Sequence, residues 1–426
     1  MPTQRRENPI AQTTLSNGIP LLTERMPHVR SVAFGVWVQS GSRHEASPDG
    51  GISHFLEHML FKGTHSRSAE QIAREVDSIG GHLDAFTGKE LVGYTIKVLD
   101  EHLRLALDVI SDLVLHPRFD PADLEKEKGV ILEEMKMELD NPEYVIHEAF
   151  MNDFWRGHPL GASIIGTRQN IKAFSPDRVA AYHRHVYAPG RIVLSAAGNL
   201  RPAELKKLAE KYFGSLAPGA PAAAGKPPRG VAPFLLQKKR LQQVQLCMGV
   251  PAMAADDPSR YAAYILNVIL GGGMSSRLFQ NIRERQGLAY SVYSELNLYQ
   301  DSGCFAIYAG MAKASTKQVV ESILAELRDV MAQGVPDDEL RRAKDHMKGS
   351  LMLSLESTGS RMSNLARQYL YHGRVLSFDD MLTSVENVTA RDVKALAKRL
   401  FGRGQIGLAL LGPVEGVALK PEDLHC

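Results

Sequence analysis

Near the midpoint of this 426-residue chain, residues 217–230 read Ala-Pro-Gly-Ala-Pro-Ala-Ala-Ala-Gly-Lys-Pro-Pro-Arg-Gly. A segment of that composition builds no core element and is predicted to be a linker. The hydrophobic patterns before it recur in the same order after it. The first side offers a strand at Ser31–Gln39, an apolar helix near 51–61, strands at Leu83–Thr87 and Val92–Leu99, several longer helices and a strand at Ile192–Ala197. The second side offers a strand at Gln242–Val250, helices at Arg260–Leu270 and Arg277–Arg285, strands at Tyr290–Asn297 and Cys304–Ala309, four longer helices and a strand at Ile406–Leu411. Such a duplication restricts the fold sharply. It predicts an α+β protein made of two homologous α/β-roll-like halves, each a mixed sheet with helices on one side, in a pseudo-two-fold arrangement. The expected domains are 1–216 and 231–426, joined by 217–230.

One stretch breaks the repetition. Gly51-Ile-Ser-His-Phe-Leu-Glu-His-Met-Leu-Phe61 has the apolar spacing of a buried helix, yet places two imidazoles and a carboxylate within it. His54 and His58 are four apart, so they share a helical face and can point at one ion. Glu57 is offset from that face by roughly 100°. This suits a group that reaches a water beside the ion without being a ligand. The corresponding helix of the second half, Tyr261-Ala-Ala-Tyr-Ile-Leu-Asn267, holds no metal ligands. One half is therefore expected to carry a site and the other to be a degenerate copy. A catalytic zinc needs a third protein ligand and keeps a fourth position for water. The best supplier is the helix opened by Asp120-Pro121 and running to Leu139, where Glu127 and Glu134 lie two turns apart on nearly one face. Taken alone, most glutamates on such a Lys/Glu-rich helix are solvated.

The order His-x-x-Glu-His is the inverse of the common zinc-protease motif. His54-Phe-Leu-Glu-His-Met-Leu-Phe-Lys-Gly-Thr64, followed by Glu127-Lys-Gly-Val-Ile-Leu-Glu-Glu134, resembles the M16 (pitrilysin-type) metallopeptidases. The likeness is to the short-subunit branch that includes the mitochondrial processing peptidase β subunit and its bacterial relatives, and it spans essentially the whole chain. It implies a zinc-dependent endopeptidase with one Zn2+ per chain, bound by His54, His58 and Glu134, with Glu57 as general base and Glu127 as a supporting residue. Glu133 competes for the third-ligand place, but the seven-residue spacing from Glu127 and the resemblance favour Glu134. From the second half, Arg283 and Tyr290 are implied to reach substrate, where a guanidinium and a phenol can supply donors to a developing oxyanion. Asp84-Ala85-Phe86-Thr87 resembles the family's substrate-pairing edge strand, on which a peptide adds through backbone hydrogen bonds. The family usually has Asn where this chain has Asp84. The resemblance further implies a peptide or unfolded polypeptide as substrate, presequence-like segments included, and a homodimer or a heterodimer with a related subunit. A catalytically inactive structural or assembly subunit of the same fold is the alternative.

Composition narrows the rest. Lys and Arg total 50 against 48 Asp and Glu, so nothing in the overall charge points to nucleic acid. Cys247, Cys304 and Cys426 are too scattered for a disulfide framework or a zinc knot and are expected as two buried small residues and a tail thiol. Residues 1–9 hold a basic pair with no apolar stretch behind it, so no secretory leader is expected. No run approaches the roughly 18 apolar residues of a membrane span, and the expected compartment is the cytoplasm.

Overall fold

The structure is a computed structural model that describes residues 9–221, 225–402, 404 and 406–426. Residues 222–224 of the expected linker, and the first eight of the expected first domain, lie outside the described residues. In chain order the first half holds strands β1 (Ile10–Thr14), β2 (Pro20–Arg25) and β3 (Ser31–Val38), then helices α1 (Ile52–Leu60) and α2 (Ala69–Ser78). Strands β4 (His82–Thr87) and β5 (Val92–Leu99) follow, then helices α3 (Leu103–Leu115), α4 (Pro121–Asp140), α5 (Pro142–Phe154), α6 (Arg168–Ala173) and α7 (Pro176–Val186), strand β6 (Ile192–Gly198) and helix α8 (Pro202–Phe213). The second half holds β7 (Phe234–Lys238), β8 (Val244–Ala252), α9 (Arg260–Gly271), a π-helical turn at Phe279–Arg285, β9 (Ala289–Leu298) and β10 (Gly303–Met311). It closes with α10 (Thr316–Ala332), α11 (Asp337–Ser354), α12 (Thr358–His372), α13 (Phe378–Glu386), α14 (Ala390–Phe401) and β11 (Gly407–Gly412).

The first sheet has the order β1-β2-β6-β3-β5-β4, the second β7-β11-β8-β10-β9. Each is mixed. β2 runs parallel to β6 and β7 parallel to β11, whereas the other neighbours are antiparallel. Each sheet ends on the outer strand of a hairpin, β4 in one and β9 in the other. This matched order is the duplication seen in the sequence. The elements absent from the sequence reading are β1, β2, β7, α6 and α13. β2 and β7 have few β-branched residues, β1 is only five residues long and the two helices are short, so their periodicity is weak. The stretch predicted as an ordinary helix at Arg277–Arg285 is instead a π-helical turn.

The compact units follow space rather than the chain. The first comprises 1–135, 162–225 and 354–375; the second comprises 136–161, 226–353 and 376–426. Each linear half thus contributes a segment to the unit that holds the other half's sheet. In the first unit, Phe34, Val36 and Ile96 of the sheet pack with Phe55 and Leu56 of α1 and with Ile110 of α3 in the main core. Its opposite face takes α12, whose Met362, Leu365 and Ala366 pack on Leu22, Trp37, Val193 and Ala197. In the second unit, Leu246, Phe305 and Leu410 pack with α9, α10 and α14. Its opposite face takes α5, whose Ile146, Phe150 and Phe154 pack on Cys247, Cys304, Ala306 and Ala409. Each fully buried side chain of this size stabilises by about 1.5–3 kcal/mol, so these single covering helices contribute substantially to both sheets. Cys247 and Cys304 are free thiols within that layer. Among the described residues, no helix is long and apolar enough to cross a membrane.

Candidate metal centre

Helix α1 buries Ile52, Phe55, Leu56, Met59 and Leu60, each at most 1% exposed. This spacing of three and four fixes one face in the core. It leaves His54, Glu57 and His58 half-buried on the remaining surface. The start of the helix is held hard. Gly51 has φ +94°, and a Cβ there would lie 2.7 Å from the Ile165 carbonyl oxygen, so glycine is required by both conformation and space. The buried Glu45 carboxylate accepts from the Gly51 and Ser53 amides at 2.7 and 2.8 Å. It thereby satisfies donors that the first turn of a helix leaves unpaired. Burial raises the Glu45 pKa, against the lowering effect of these hydrogen bonds.

Helix α4 crosses this surface with an unusual face. Leu124, Glu127 and Ile131 are its buried residues, and Glu134, three residues further, continues the stripe. Val130, Met137 and Leu139 are exposed instead. The carboxylates therefore occupy positions where apolar residues would be expected, and apolar residues face outward.

His54 Nε2 lies 3.6 Å from Glu134 Oε1, and His58 Nε2 lies 3.6 Å from Glu134 Oε2. His54, His58 and Glu134 each offer a ligand atom within 4.8 Å of the others. These separations are too long for hydrogen bonds. They fit donors at two corners of a tetrahedron around a zinc ion, which are about 3.4 Å apart for ligand bonds of about 2.1 Å. His58 Nδ1 lies 3.1 Å from Glu127 Oε2, and Lys62 Nζ pairs with Glu127 Oε1 at 2.7 Å. With Nδ1–H donating to that carboxylate, Nε2 is left as a lone pair aimed toward Glu134. Burial, with His58 nearby, lowers the His54 pKa to about 4, so the His54 ring is neutral near pH 7. Acceptors thus converge on one point, and a cation there relieves their mutual repulsion. The residues fit a zinc ion.

Glu57 stands beside this group. Burial raises its pKa; a hydrogen bond from Thr87 and the nearby His58 ring lower it, and Glu134 and Asp84 raise it. Thr87 Oγ1 donates to Glu57 Oε2. Glu133, the competing third ligand, is exposed and outside the cluster. Asp84, Ala85, Phe86 and Thr87 lie on β4, at the edge of the first sheet. Asp84 is exposed, and its Oδ1 accepts from the Ala85 amide. Phe86 packs on Trp37, ring centroids 5.7 Å apart, with the Arg367 guanidinium 5.9 Å from the centroid of the Phe86 ring. Arg283 and Tyr290 belong to the second unit. There the guanidinium sits 4.8 Å from the Phe279 ring and 5.2 Å from the Tyr290 ring, whose residue is 75% exposed.

Lys62 and Glu45 were not singled out in the sequence. Lys62 could have been, because it continues the four-residue spacing of His54 and His58. Glu45 had no such signal, being in a loop.

Comparison with known proteins agrees with this geometry. Residues 21–168 match the family described as insulinase (peptidase family M16), and residues 173–347 match the peptidase M16 inactive domain. The second match covers most of the half without metal ligands. The uncharacterized zinc protease YmxG of Bacillus subtilis is 42% identical over 95% of this chain and 98% of its own length. An uncharacterized zinc protease of Streptomyces coelicolor is 38% identical over 95% of this chain and 90% of its own. Two crystal structures share the fold at TM-scores of 0.88 and 0.90. One is a protease from Helicobacter pylori, at 22% identity over 94% of this chain and 99% of that one. The other is a peptidase M16 inactive domain from Pseudomonas fluorescens, at 21% identity over 95% of this chain and 98% of that one. The chain belongs to peptidase family M16.

Proposed function

We propose that this protein is a zinc-dependent endopeptidase, one zinc per chain, acting on short peptides or unfolded, presequence-like segments. The observation that carries the reading is the convergence of His54, His58 and Glu134 with Glu57 alongside on the same helix. The chemistry zinc supplies when bound is Lewis acidity toward a peptide carbonyl and toward an attacking water. His54, His58 and Glu134 hold it, and Glu127 with Lys62 fixes the orientation of the His58 ring. Glu57 accepts the proton of the attacking water and returns it to the leaving amine. The outer edge of β4 offers backbone groups to an extended chain. That requirement selects segments able to adopt a strand and rejects folded ones. The part proposed for Arg283 and Tyr290, donors to a substrate carbonyl, rests on their chemistry and on the family.

The test is metal content by mass spectrometry together with cleavage of a quenched fluorescent peptide, with a chelator and after zinc is restored. Glu57→Gln is expected to keep its zinc and lose about 10²–10⁴-fold in rate. Wild-type protein with one zinc per chain and no cleavage would instead support a scaffold of the same fold.

A further inference from the structure

We propose that Thr87 is a positioning residue for Glu57, tying the base to the strand edge on which an extended substrate pairs; this rests on the metallopeptidase reading above. Thr87 is the last residue of β4. Alternation along a strand sends Leu83, Ala85 and Thr87 to one face and Phe86 to the other. Leu83 and Ala85 pack against the core that contains α1, while Phe86 packs on Trp37. The Thr87 side chain therefore faces the helix of the metal centre. Its hydroxyl is the one hydrogen-bond donor to the Glu57 side chain among the described residues. Glu134 and Asp84 repel that carboxylate. A glutamate has several free torsions, and a β-branched threonine has a stiff χ1. One fixed donor on Oε2 selects a carboxylate orientation and leaves Oε1 for the proton in transit.

The second unit supplies an independent observation. Thr87 pairs with Val92 across the β4–β5 hairpin, as the last pair before a four-residue loop. In the β9–β10 hairpin that place is taken by Leu298, opposite Gly303. Asn267 stands where the burial pattern of α1 puts Glu57. The hydroxyl and the carboxylate are thus both missing from the copy.

The experiment compares wild type with Thr87→Val, Thr87→Ala and Thr87→Ser. It measures zinc affinity by competition with a chelating indicator, thermal melting, and kcat and KM on a quenched peptide. Thr87→Val is expected to bind zinc within about twofold of wild type and to lose about 10- to 100-fold in kcat with little change in KM. Thr87→Ser is expected to recover most of the loss, and Thr87→Ala to match Thr87→Val and to replace it should valine prevent folding. Wild-type kcat in both Thr87→Val and Thr87→Ala overturns the proposal. So does a raised KM with unchanged kcat, which would make Thr87 a substrate contact. A wild type without zinc-dependent cleavage overturns the peptidase reading as well, whereas equal cleavage by wild type and variants overturns this inference alone.

Discussion

Helix α1 buries Ile52, Phe55, Leu56, Met59 and Leu60, and helix α9 buries Ala262, Ile265, Leu266, Ile269 and Leu270 at the same intervals. Where the first has His54, Glu57 and His58, the second has Tyr264, Asn267 and Val268. The long helices repeat the contrast. Leu124, Glu127, Ile131 and Glu134 of α4 match Leu340, Ala343, Met347 and Ser350 of α11 in their distance from the helix start. The core-facing positions keep a common pattern, while the metal-facing positions change chemistry altogether. A metal centre on this scaffold therefore consists of a few side chains on an apolar frame that folds with or without them.

That contrast can be broken by giving the first unit the copy's residues. Glu134→Ser, the residue of the copy, is expected to lower zinc affinity the most, beyond the ~100-fold that loss of an outer partner costs. Glu133→Gln should leave affinity unchanged, and the reverse ranking in a chelator titration would move the ligand to Glu133. Glu127→Ala, again the copy's residue, is expected to cost about 10–100-fold in zinc affinity. Lys62→Met should lower it in the same direction by less, because the His58–Glu127 bond survives.

The smallest effect concerns acid. Among the described residues, the histidines whose pKa is lowered are His44, His54 and His183, all in the first unit. His183 is buried, with Nε2 donating to the Val114 carbonyl at 2.8 Å. Burial brings its pKa from 6.5 to about 4 in the folded state. The unfolded chain therefore binds the proton first. Stability from this group is present above pH 6.5 and is lost as pH falls toward about 4. Glu24 has a raised pKa, chiefly through burial, and shifts the slope the other way. Urea unfolding of metal-free protein should show a flatter pH dependence for His183→Gln than for wild type over that window. Identical slopes would remove His183 as a source of acid sensitivity.

Much of the candidate site was legible because its residues violate a pattern. His54, Glu57 and His58 interrupt an apolar helix. Glu127 and Glu134 sit on the inward stripe of α4 while Val130 and Met137 face out. What joins distant segments left no local trace. The bond from Thr87 to Glu57 spans 30 residues, and Glu45 caps α1 from a loop. The duplication was readable from element order. The destinations of α5 and α12 were not, since an amphipathic helix shows that it needs an apolar partner but not which sheet provides it.

The placement of α12 also bears on how the protein is made. A chain emerging from the ribosome presents all six strands of the first sheet before residue 200. The helix that covers the outer face of Trp37, Val193 and Ala197 arrives only with residues 358–372. The metal-bearing unit is thus translated first yet completed late, with an apolar face exposed for the time it takes to synthesise most of the second half. A chain truncated at the linker would lack that covering helix and keep the apolar face exposed.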